Sequence, residues 1–122
     1  MKSQKILLAD DELALRFLIS ETLIDEGYDI TEASDGQEAI DSLQNEEYDL
    51  IILDYMMPAK TGIEVCAWLR NSNSVNKLKP VLLLTAKALD RDKEQALAAG
   101  VTTYYLKPFS PLQLISTIKQ MI

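Results

Sequence analysis

Apolar runs of strand length recur along the chain at residues 6–9, 30–33, 50–53, 81–84 and 103–106, each separated by a stretch long enough for a helix. The alternation reads as β-α repeated five times. The runs Leu50-Ile51-Ile52-Leu53 and Val81-Leu82-Leu83-Leu84 contain no polar position. That is the pattern of strands covered on both faces, as in a parallel sheet between two helical layers. The predicted fold class is α/β, a three-layer doubly wound sheet of five parallel strands.

Between the runs, Leu15, Leu18, Ile19, Thr22 and Leu23 fall at helical spacing, and Gly27 stands where a left-handed residue would end that helix. Three helix starts follow the capping-box pattern: Asp35 with Glu38, Thr61 with Glu64, and Ser110 with Gln113, the last with Pro111 at the first helical position. Asp90 is the expected cap of an alanine-rich fourth helix that ends near Gly100. Leu114, Ile118, Met121 and Ile122 give the last helix an inward stripe. No repeat, low-complexity tract or linker interrupts the pattern, so residues 1–122 are expected to form one domain.

Composition narrows the chemistry. A length of 122 residues with 48% hydrophobic side chains is enough for one covered core. The net charge of −7, from 12 basic and 19 acidic residues, argues against this domain gripping a nucleic-acid backbone, which runs on clustered Lys and Arg. Cys66 is the sole cysteine and cannot form an internal disulfide, which suits a reducing compartment. Neither a signal peptide nor a run of about 20 apolar residues is present, so the expectation is a cytoplasmic protein with no membrane contact. With no histidine, imidazole metal sites, Ser-His triads and an internal phosphohistidine donor are excluded.

Open α/β sheets bind ligands beyond the carboxyl ends of their strands. Asp10 and Asp11 follow the first run, Asp54 the third, Thr85 the fourth, and Lys107-Pro108 the fifth. Right-handed crossovers would bring these tips to one pocket. Taken singly, each residue has an ordinary reading. Asp10-Asp11-Glu12 could be an acidic helix start, Thr85 a β-branched strand residue and Lys107 a loop lysine. Asp54 is harder to dismiss, because a carboxylate closing four aliphatic residues is poorly solvated. Together they form a charge problem: two like charges about 4 Å apart at an effective dielectric near 20 repel by roughly 4 kcal/mol. Either one carboxyl keeps its proton or a hard divalent ion neutralises the cluster. Mg²⁺ suits such oxygen-only ligands.

At this point the residues match a family. Leu-Leu-Ala-Asp10-Asp11-Glu, Asp54-Tyr-Met-Met57-Pro58 with Gly62 four residues beyond the proline, Thr85-Ala86, and Lys107-Pro108-Phe109 resemble, in order and spacing, the receiver domains of two-component response regulators. The resemblance covers essentially the whole chain. It implies a flavodoxin-like sheet of order 2-1-3-4-5 and a switch that assists its own phosphorylation and dephosphorylation rather than an enzyme with a turnover substrate. Asp54 would be the phosphoacceptor. Asp10, Asp11, Asp54 and the backbone carbonyl of Met56 would hold Mg²⁺, while Lys107 and Thr85 would bond phosphoryl oxygens. Tyr104 would be the switch aromatic that follows Thr85, whereas Tyr105 should face the other way. The surface of the fourth helix, fifth strand and fifth helix would then meet a downstream effector or output domain, or a second copy of the chain. The phosphoryl donor would be a sensor histidine kinase or a histidine phosphotransfer protein. The Lys107-Pro108 bond resembles one that is cis in the family. Lys87 and Met56 match positions that flank the pocket in the family and would set how water reaches the phosphate.

Three other readings compete. An aspartate-nucleophile phosphatase of the haloacid-dehalogenase type needs a second aspartate two positions after the first, where this chain has Met56. A flavodoxin-like FMN module would not carry acidic residues in the first phosphate-facing loop. A pseudo-receiver that only binds proteins has no need of all five site residues. Cys66 and Trp68 have no motif role, and core packing with a partly exposed indole accounts for them.

Overall fold

The computed structural model describes residues 3–86, 90–107 and 110–122, apart from the side chains of residues 90 and 91. The apolar runs become β1 (Lys5–Ala9), β2 (Asp29–Ala33), β3 (Leu50–Asp54), β4 (Val81–Thr85) and β5 (Thr103–Leu106). They form one parallel sheet in the order β2-β1-β3-β4-β5. The connecting helices are α1 (Leu13–Asp25), α2 (Gly36–Asn45), α3 (Gly62–Arg70), α4 (Asp90–Ala98) and α5 (Pro111–Met121).

The period of two along a strand decides which helices lie on which face. Leu7, Ala9, Ile51, Leu53, Val81 and Leu83 point into a core completed by Ala39 and Leu43 of α2, Val65, Cys66 and Leu69 of α3, and Ala96 of α4. Ile6, Leu8, Leu50, Ile52, Leu82 and Leu84 point the other way, onto Ile19 and Leu23 of α1 and Leu114 and Ile118 of α5. β3 and β4 are buried at every position, which is why their sequences do not alternate. Each such Leu or Ile contributes roughly 1.5–3 kcal/mol of burial free energy.

Local signals act largely where expected. α1 ends in a Schellman motif: Gly27 has φ +94°, its N–H donates to the Ile24 carbonyl at 2.9 Å, and the Tyr28 N–H donates to that of Leu23 at 3.2 Å. Thr61 and Glu64 make the full capping box, and its backbone hydrogen bond holds the Glu64 carboxyl below its usual range. Asp35 caps α2, but the Glu38 side chain bonds the N–H of Ser34 rather than that of Asp35.

Two expectations are corrected. Ser110 occupies the N-cap of α5 without a side-chain cap bond, and Gln113 instead accepts the Tyr105 hydroxyl at 3.1 Å. Leu18 shares the helical spacing of α1 but is 50% exposed, because Ile19 and Leu23 face the sheet. Met121 and Ile122 pack only partly buried at the edge of the core. α4 begins at Asp90, whose capping side chain lies outside the described residues, as do Lys87 and the Lys107-Pro108 bond. Among the described residues, no helix is long and apolar enough to cross a membrane.

Candidate phosphoacceptor site

The sheet delivers the predicted residues to one end. β3 and β4 each run one residue further than their apolar stretches, so Asp54 and Thr85 are strand residues rather than loop residues. The ladder continues beyond them: the Tyr55 N–H donates to the Leu84 carbonyl and the Lys107 N–H to the Thr85 carbonyl, both at 2.8 Å. Lys107 is therefore fixed to the tip of β4 by its own backbone, and its ammonium lies 3.1 Å from Asp54 Oδ1 and 3.9 Å from Asp10 Oδ2.

Asp10, Asp11 and Asp54 each offer a carboxylate oxygen within 4.8 Å of the others. Asp10 is not part of a helix start. It is 0% exposed, its Oδ1 accepts the Glu12 N–H at 2.9 Å, and α1 begins only at Leu13. Asp10 Oδ2 is buried and, among the described residues, has no hydrogen-bond partner. Burial, and then the charge of Asp54, push the Asp10 pKa up to about 6, opposed by the Glu12 N–H and by Lys107. Asp54 is 6% exposed, while Asp11 stands exposed at the mouth. A buried carboxylate oxygen without a donor, beside two further carboxylates, is what a hard cation would satisfy. The donor set fits Mg²⁺.

The loop after β3 frames the pocket. Met56 is 60% exposed and Met57 is buried. Ala59 has φ +71°, a left-handed conformation that L side chains seldom adopt. Pro58 accepts the N–H of Lys60 at 2.8 Å and of Gly36 at 3.1 Å. Gly62 opens α3 directly beneath Asp54: a Cβ there would collide with the Asp54 carbonyl and lie 2.7 Å from Leu83 Cδ1. Only glycine lets the helix approach the strand so closely.

Thr85 and Tyr104 line one small cavity together with Tyr55, Leu83, Asp92, Lys93 and Ala96. Its volume, about 10 Å³, is room for one water at most. Tyr104 packs on the α2–α3–α4 core with the Lys93 ammonium 5.4 Å above its ring, while Tyr105 packs on the α1–α5 side, as the strand period requires. Sequence reasoning missed Asp92, buried in α4, and Arg16, whose guanidinium reaches the backbone of Asp10. Neither stands at a strand tip, and no motif spacing marks them. Cys66 is buried, its thiol pKa raised by burial, and Trp68 packs partly exposed, as expected.

Comparison with known proteins agrees with this geometry. The family described as "Response regulator receiver domain" matches residues 6–119. The transcriptional regulatory protein ResD of Bacillus subtilis (strain 168) is 42% identical over 118 residues, covering 97% of this chain and 48% of ResD. The alkaline phosphatase synthesis transcriptional regulatory protein PhoP of the same strain is 41% identical over 120 residues, covering 98% of this chain and 49% of PhoP. The chain thus spans about half the length of these relatives. Among solved structures, the chemotaxis protein CheY4 of Vibrio cholerae superposes with TM-score 0.93 at 35% identity, over 99% of this chain and 100% of that one. The receiver domain of the sensor histidine kinase PA1611 of Pseudomonas aeruginosa PAO1, which has a magnesium ion coordinated in its active-site cleft, gives 0.89 at 31%, over 98% of each. The chain belongs to the receiver-domain family of two-component response regulators, with the parallel 2-1-3-4-5 sheet of that class.

Proposed function

We propose that this chain is a Mg²⁺-dependent phosphoacceptor switch in which Asp54 receives a phosphoryl group. The observation that carries the reading is the Lys107 ammonium 3.1 Å from Asp54 Oδ1, next to the buried Oδ2 of Asp10, which has no hydrogen-bond partner among the described residues. Asp10, Asp11, Asp54 and the Met56 backbone carbonyl are the residues that would hold Mg²⁺, which when bound supplies positive charge to the phosphoryl oxygens. An Asp54 carboxylate oxygen attacks phosphorus and forms an O–P bond. The P–N bond of a donor phosphohistidine, or the P–O bond of an acyl phosphate, breaks, and its electron pair leaves with the donor. Lys107 neutralises charge on a phosphoryl oxygen, and the Thr85 hydroxyl bonds another.

The same residues couple the chemistry to a surface. As Thr85 moves toward the phosphoryl group, Tyr104 turns inward and the α4–β5–α5 face changes shape. The shared cavity of about 10 Å³ cannot take a phenol ring while Thr85 stays in place, so the ring follows Thr85 into the space that it vacates. The changed face is the one offered to a downstream effector or output domain, or to a second copy of this chain. The donor is a sensor histidine kinase or a histidine phosphotransfer protein, and the setting is the cytoplasm. Met56, exposed at the pocket mouth, and Lys87 govern access of water to the phosphoryl group and so the lifetime of the switched state.

The test is intact-mass measurement after incubation with acetyl phosphate and Mg²⁺. Wild type should gain one phosphoryl group and Asp54→Asn none. No gain in wild type, or an undiminished gain in the variant, refutes the reading.

A further inference from the structure

We propose that Arg16 is a positioning residue for the cation pocket, a role resting on the reading of Asp10 and Asp11 as Mg²⁺ ligands. Its side chain is only 14% exposed. Nη1 donates to the backbone carbonyl of Asp10 at 2.7 Å, and Nε donates to Glu32 Oε1 at 2.9 Å. The Asp10 N–H is held from the same direction by the Ala33 carbonyl at 3.1 Å. Both anchors, Glu32 and Ala33, belong to β2. The backbone N–H and carbonyl of Asp10 are therefore both tied to the neighbouring strand, once through the sheet ladder and once through the guanidinium.

The clamp acts beyond Asp10. The Asp10 carbonyl and the Asp11 N–H share one planar peptide, so holding that oxygen sets the direction in which the exposed Asp11 leaves the chain. Asp11 has little burial of its own to fix its carboxylate. A bare guanidinium so close to an acidic cluster would repel a metal cation. Glu32 offsets its charge, and the other Glu32 oxygen lies 3.5 Å from Ser20 Oγ. Arg16 thus gives orientation with little net charge. The planar fork matters, since a lysine ammonium cannot span both acceptors in the same geometry.

Tether and charge predict opposite results. Removing a cation near the pocket by Coulomb attraction alone would tighten Mg²⁺ binding, whereas removing a clamp on the ligand backbone loosens it. Titrate Mg²⁺ calorimetrically into the full chain at neutral pH, for wild type, Arg16→Ala, Glu32→Ala and the double variant. Use Lys119→Ala as control, since it breaks an exposed ion pair to Glu26 just past the far end of α1. Arg16→Ala should raise the Mg²⁺ Kd roughly tenfold. The double variant should be no weaker than Arg16→Ala, because the two residues act as one unit, and the control should match wild type. Arg16→Lys keeps the charge and loses the fork. Weaker binding there supports the clamp even where the alanine variant does not fold. An unchanged or tighter Kd in both Arg16 variants, or an equal loss in the control, overturns the role of Arg16 alone. Absence of Mg²⁺ binding by wild type removes the reading of the site, and the role of Arg16 with it.

Discussion

Asp10 is held in its charged state at a cost to the fold, and Asp10→Asn should expose that cost. Burial first, and then Asp54, raise its pKa from 3.8 to about 6, so the folded protein binds this proton more tightly than the unfolded chain does. The sign follows from linkage: without metal, stability falls as pH rises from about 4 to about 6 and is then flat for this group. A rise of that size corresponds to about 2–3 kcal/mol at neutral pH. Asp10 is fully buried, so bulk water screens little of it. Asp10→Asn keeps the shape and removes the charge. It should stabilise the metal-free protein by about 2 kcal/mol at pH 7.5 and by much less near pH 4.5. The assay is urea denaturation of both proteins in chelator at the two pH values, repeated with Mg²⁺ at pH 7.5. Mg²⁺ should stabilise wild type by mass action on the folded state and reduce or reverse the variant's advantage. A variant no more stable than wild type at pH 7.5, or a difference that does not change with pH, would refute the reasoning.

Gly62→Ala forces a Cβ onto the Asp54 carbonyl and Leu83; it should destabilise by about 1–3 kcal/mol in urea melts and slow acetyl-phosphate labelling of Asp54. Ala59→Gly relieves a left-handed alanine in the loop after β3 and should gain about 0.5–1 kcal/mol, offset partly by the greater freedom of glycine when unfolded; a loss of stability would count against strain there. Arg70 donates to the carbonyls of Lys77, Lys79 and, through two nitrogens, Gly100. Arg70→Ala should therefore cost about 2–3 kcal/mol in the same melts, and Arg70→Lys should recover only part of it.

The layering was legible because it depends on period. Uninterrupted aliphatic runs mark central strands, and the alternate facing of Tyr104 and Tyr105 follows from a repeat of two. Gly27 and the Thr61–Glu64 box were legible because one residue type at one offset satisfies one orphan backbone group. Ser110 and Gln113 fit the same pattern, yet Tyr105 takes the glutamine side chain, a competition between residues eight apart that no local pattern contains. Leu18 fits the helical spacing too, but the face of α1 that meets the sheet is settled by the rotation of the whole helix.

The site divides along the same line. Asp10, Asp54, Thr85 and Lys107 stand at strand tips, where topology guarantees convergence once the sheet is granted. Their chemistry can be read before any coordinate is known. Arg16 and Arg70 act through side chains that reach backbone carbonyls, which every residue possesses, so nothing in the sequence marks their acceptors. Arg70 ties the loop before β4 to the turn between α4 and β5. Arg16 braces the peptide between the two acidic residues of β1's tip. The carboxylates mark the proposed cation pocket, and in our proposal Arg16 sets how rigidly the backbone beneath it is held. A chain could keep all five site residues and still bind Mg²⁺ poorly if the backbone beneath Asp10 and Asp11 were free to turn.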